Sequence, residues 1–81
     1  MPTVLTIRNL MFMIHTRDHN PPHVTIYCGV PDDWQAKARV NLENCQVMDS
    51  TGFKNKDIKI IEALCIVNRE SFLEVWYETR S

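Results

Sequence analysis

The chain has 81 residues, is 44% hydrophobic with only two glycines, and carries a formal net charge of −1. That composition is too apolar and too glycine-poor for a disordered tail, and the near-neutral balance lacks the Lys and Arg surplus of a dedicated nucleic-acid binder. A domain this small buries only about 60 to 65 per cent of the surface that its unfolded chain exposes, so a single domain over residues 1–81 with a modest stability margin is expected.

Taken in chain order, residues 3–8, Thr-Val-Leu-Thr-Ile-Arg, favour β structure, and Asn9 is a turn point before the run Met11–Arg17. The two runs read as a hairpin with Phe12 and Ile14 on one side and Met11, Met13, His15 and Arg17 on the other. Asn20, Pro21 and Pro22 interrupt it, because proline fixes its own φ and steers the preceding residue away from helix. A stiff, extended, polyproline-like connector would hold His19 and His23 about 12 Å apart, too far for easy shared metal ligation.

Residues 23–28 alternate again, with Val24, Ile26 and Cys28 against His23, Thr25 and Tyr27, until Gly29, Pro31 and Asp32-Asp33 end the run. The cleanest alternation is residues 36–43, with Ala36, Ala38, Val40 and Leu42 inward and Lys37, Arg39, Asn41 and Glu43 outward. Residues 45–49 add a short fifth strand. From Asn55, a candidate helix cap, the period becomes helical through Ile58, Ile61, Leu64 and Cys65, and after Asn68 through Phe72, Val75 and Trp76. Asn68 as a second cap-like residue leaves one bent helix and two helices both open. The fold class is therefore α+β: a small, mostly antiparallel four- or five-stranded sheet with one or two C-terminal helices packed on one face.

Cys28, Cys45 and Cys65 are odd in number, spaced 17 and 20 apart with no CxxC pair, which argues against a disulfide framework and a zinc ribbon. With no basic leader and no run long enough to cross a bilayer, the chain reads as cytoplasmic, with no membrane partner.

Three stretches carry a family resemblance: Met-Pro-Thr-Val at the start, Asp18-His19-Asn20-Pro21-Pro22-His23-Val24, and residues 68–76 ending in Trp76. Together they resemble a family of short bacterial proteins catalogued as domain of unknown function 4160. The resemblance implies a small sheet followed by C-terminal helices, and genes that neighbour another small reading frame as toxin–antitoxin modules do. Asp18, His19, Pro21, Pro22, His23 and Trp76 match the family pattern, whereas Thr25 stands where the family carries its last histidine. Losing that His-x-His pair argues against a metal site, and no cofactor is expected.

If the inward sets hold, the open sheet face gathers Arg8, His15, Arg17, His23, Tyr27, Lys37 and Arg39. That set suits a metal-independent ribonuclease-like toxin: His15, Asp18, His19 and His23 supply the acid–base candidates, and Arg8, Arg17, Tyr27, Lys37 and Arg39 the binding groups, with Arg17 and Arg39 as the phosphate clamp. RNA is the partner on this reading. The alternative is a non-catalytic protein-interaction module, antitoxin-like or an inhibitor of a host system, with a protein partner or a second copy meeting a patch of Met11, Met13 and Tyr27. An ordinary solvated sheet face accounts for the same residues without any chemistry.

Overall fold

Each alternating run forms a strand, and sequential strands are neighbours in the sheet. The computed structural model describes residues 3–80, so Met1 and Pro2 of the opening motif lie outside it. The strands are β1 (Thr3–Ile7), β2 (Leu10–Met13), β3 (His23–Val30), β4 (Asp33–Asn41) and β5 (Gln46–Thr51), followed by one helix, α1 (Asn55–Glu78). They pair antiparallel in sequence order, β1-β2-β3-β4-β5. The fold is α+β, with a five-stranded sheet and one helix.

The inward residues of the sheet and one stripe of the helix make a common core. Phe12, Ile14, Val24, Ile26, Val40 and Leu42 meet Ile61, Cys65, Phe72 and Trp76, and the Phe12 and Phe72 rings lie 5.9 Å apart. Ala36 and Ala38 are buried on the same strand as Val40, as their alternation requires. Arg69 fastens the middle of α1 to the end of β4 by donating from Nε to Leu42 O at 2.7 Å.

Two helix expectations are corrected. Asn68 does not interrupt α1: its Nδ2 donates to Leu64 O at 2.8 Å, one turn back, so a cap-like side chain is absorbed within a continuous helix. Asn55 is not the cap either. The helix starts after Lys54, whose backbone N–H donates to Asp57 Oδ2 at 3.3 Å, so the acidic residue closes the first turn. The chain enters α1 through Gly52, at φ +89°, where a Cβ would stand 2.8 Å from Gln35 O. A side chain there would collide with backbone as well as adopt the left-handed region.

The corner between β2 and β3 also differs from expectation. The Asn20–Pro21 bond is cis, so the connector is not the all-trans polyproline spacer anticipated for it. All three cysteines are unpaired. Burial pushes the Cys65 thiol up to about 12, with Cys45 and Glu62 adding to the effect, and a thiol held protonated is a poor nucleophile. An aromatic disulfide reagent at neutral pH is expected to label the half-buried Cys28 in the native protein and to reach Cys65 only on unfolding. Labelling of Cys65 at the rate of Cys28 would contradict the core packing.

Among the described residues, no helix is long and apolar enough to cross a membrane.

Candidate functional site

Strand register builds a polar cleft on the face of the sheet away from α1. Across β2, β3, β4 and β5 one row runs Met13, Thr25, Arg39, Asp49 and the next runs Met11, Tyr27, Lys37, Thr51. The period of two sends all of these to one side. His15 and Asp18 from the β2–β3 loop and Trp34 from the start of β4 complete a cleft of about 390 Å³.

Within it, His15 Nε2 and Tyr27 Oη are 3.0 Å apart, with the rings edge to face. Burial, then the Asp18 and Asp32 charges, raises the Tyr27 hydroxyl above its ordinary value. A phenol that holds its proton this way can donate to Nε2 when that nitrogen is bare. Lys37 Nζ lies 5.9 Å from both the Tyr27 and the Trp34 ring centres, at the outer limit of a cation–π contact. Arg39 donates from Nε to Asp49 Oδ2 at 2.9 Å, and its Nη2 also reaches that oxygen.

The Arg39 guanidinium holds the Asp49 carboxyl below its ordinary value, first by hydrogen bonding, against a smaller upward push from burial. A depressed carboxylate stabilises the fold at pH above its unfolded value, and the benefit is lost as pH falls through the folded one. Both side chains are substantially exposed, so Asp49→Asn is expected to cost less than about 1 kcal/mol, read from urea unfolding at pH 7. The cleft thus sets two cations, Lys37 and Arg39, against two carboxylates, Asp18 and Asp49, which leaves little net attraction for phosphate.

The residues expected on this face, and the further acid–base candidates Asp18 and His19, divide. His15, Asp18, Tyr27, Lys37 and Arg39 do line the cleft. Arg17 and His19 are exposed on the β2–β3 loop and are not part of its wall. Arg8 sits at the β1–β2 turn with φ +54° and lines a different cavity, of about 540 Å³, beside Phe53 and Ile60. Met11 and Met13 form no solvent-facing patch: Met13 is buried and Met11 half-buried.

His23 is the main correction. Alternation along β3 places it with Thr25 and Tyr27, yet it is only 4% exposed. Its Nδ1 donates to Pro21 O at 2.9 Å, and its ring lies 5.2 Å from Trp76. Asp18 Oδ2 is 3.0 Å from its Nε2, a close contact without hydrogen-bond alignment. One ring nitrogen is thus hydrogen-bonded and the other faces Asp18 inside the corner, and His23 does not line the cleft beside His15, the pair that acid–base cleavage was expected to use.

A residue that sequence reasoning passed over completes this corner. Arg80 stacks on Trp76 with its guanidinium 3.1 Å from the ring centre. It donates to His15 O at 3.2 Å and Asp18 O at 2.8 Å, tying the end of α1 to the β2–β3 loop. The motif residues Asp18, Pro21, His23 and Trp76 thus converge on one another. A basic residue just past a helix end, where orphan carbonyls gather, was the available signal. Asp49 and Thr51 were likewise missed as cleft residues, because they follow from cross-strand register that no local pattern contains, whereas Thr25 was placed on this face by alternation but not read as a site residue.

The family described as Domain of unknown function (DUF4160) matches residues 7–77. The chain belongs to the DUF4160 family. Compared with curated proteins and with solved structures, it finds no match. In this DUF4160 member His23 of the motif packs against Trp76, near the end of the matched span, and Asp18 and Pro21 in turn contact His23. Among the described residues, no three His, Cys, Asp or Glu side chains are grouped to hold a metal.

Proposed function

We propose that this chain is a non-catalytic protein-interaction module whose working surface is the outer face of α1. The observation that carries this reading is exposure: Ile60, Ile66, Val67 and Tyr77 are 53%, 63%, 81% and 61% exposed on one helix. Single exposed apolar residues are ordinary, but several along one helix of a small domain mark a surface that gains by being covered. Covering yields about 25 cal/mol per Å² of apolar area. The family resemblance supports a paired module, antitoxin-like or inhibitory toward a host system, acting as a single domain in the cytoplasm, and the three unpaired thiols are in keeping with a reducing compartment.

Co-expression with the product of the adjacent small reading frame that the family resemblance implies tests the reading. Val67→Glu is expected to abolish co-purification while His15→Gln leaves it intact. Co-purification that survives Val67→Glu and a second outer-face charge, Ile60→Glu, would overturn it.

A second reading, a metal-independent ribonuclease-like toxin, is favoured by the convergence of His15, Tyr27, Lys37 and Arg39 on one cleft. Without His23, the acid would have to be Tyr27 or Lys37. On this reading the purified chain cuts RNA and His15→Gln lowers the rate at least about 100-fold; absence of cleavage by the wild-type chain removes it.

A further inference from the structure

The charges along the outer face of α1 run against the helix that bears them. Lys56 and Lys59 stand exposed near its start, and Glu70 and Glu74 stand exposed toward its end. A helix dipole favours the reverse, acids at the N-terminus and bases at the C-terminus. Asp57 does sit in the first turn, where the Lys54 N–H occupies its carboxylate. None of the four exposed charges forms an ion pair among the described residues. An arrangement that costs the helix a little and satisfies nothing within the chain is suited to a contact outside it.

The spacing indicates which contact. Lys56, Ile60, Ala63, Val67, Glu70 and Glu74 succeed one another in steps of four and three, the spacing of a two-helix seam. All six are exposed. Apolar residues occupy the middle of the seam, bases one end and acids the other.

Resting on the interaction-module reading above, we infer that in the isolated chain this surface pairs with a second copy of itself, which a different partner would displace, with the two α1 helices laid antiparallel. A two-fold axis opposite residue 65 sets Ala63 against Val67, Ile60 against the aliphatic stem of Glu70, and Lys56 against Glu74. Symmetry makes each of these contacts twice. The parallel arrangement would set Lys56 on Lys56 and Glu74 on Glu74, so charge selects the polarity. A helix of 24 residues is about 36 Å long, and one such pair covers less than the roughly 800 Å² per partner of a standard interface. Association is therefore weak, with a dissociation constant on the order of micromolar to tens of micromolar.

Sedimentation equilibrium of the full chain from about 1 to 500 µM, a range set to bracket that affinity, tests the inference. The wild-type chain is expected to dimerise within this range. The variants Lys56→Glu/Lys59→Glu and Glu70→Lys/Glu74→Lys are each expected to weaken self-association at least about tenfold, and their equimolar mixture is expected to recover a dimer. Wild-type chain that stays monomeric throughout, or a dimer indifferent to both charge reversals, overturns self-pairing. All four positions are exposed, and thermal melts of the variants check that each still folds. If the chain is monomeric while Val67→Glu still abolishes capture of the adjoining-gene protein, self-pairing falls and the interaction-module reading stands. If that capture also ignores the outer face, both fall.

Discussion

Trp76→Ala is expected to leave the protein largely without a cooperative unfolding transition. The indole is 1% exposed and joins three parts of the molecule: the helix that carries it, His23 at the start of β3, and Arg80, which binds the β2–β3 loop. Truncating a buried aromatic to alanine costs about 3–5 kcal/mol. A domain of this length has only about 4–12 kcal/mol in all, by the usual per-residue margin. Urea denaturation followed by far-UV circular dichroism gives the loss. A cost below about 1 kcal/mol would show that the indole is not the keystone of this corner.

The second large effect is expected at His23, and here the size separates a structural role from a catalytic one. His23→Ala removes the ring packed on Trp76, strips the Pro21 carbonyl of its donor and leaves the buried Asp18 Oδ2 without its neighbour. Removing one side of a buried polar contact costs about 1–3 kcal/mol, most of it from the group left behind. Adding Asp18→Asn to His23→Ala should therefore restore part of the loss, a coupling of about 0.5–3 kcal/mol in a double-mutant cycle. His19→Ala, on an exposed residue of the same loop, should change stability by less than about 0.5 kcal/mol. Equal and small effects at His19 and His23 would contradict the buried corner.

Much of the sheet was legible because alternation is a local signal. Residues 23–28 and 36–43 alternate cleanly, and the structure places Val24, Ile26, Ala38 and Val40 in the core as that pattern requires. The helix was legible from its period, but its continuity was not. Asn68 has the composition of a cap, and only the turn geometry that lets its side chain reach Leu64 O shows otherwise.

The candidate site was half legible for the same reason. Tyr27, Lys37 and Arg39 could be placed together by parity within adjacent strands. Asp49 could not, since its place opposite Arg39 depends on a register shift between Arg39 and Val40. His23 failed because parity says which side a residue leaves a strand, not what arrives there from residue 76. Its burial depends on contacts across more than fifty residues of chain, and those depend on how the helix lies over the sheet. The signature that looked most like chemistry in one dimension therefore serves, in three, to lock the β2–β3 corner beneath the end of α1.

Histidine carbethoxylation of the native chain, mapped by mass spectrometry, tests that central claim most directly. The buried-corner account requires His19 to be modified readily and His23 to resist until denaturant unfolds the protein. Modification of His23 in the folded state at the pace of His19 would contradict it.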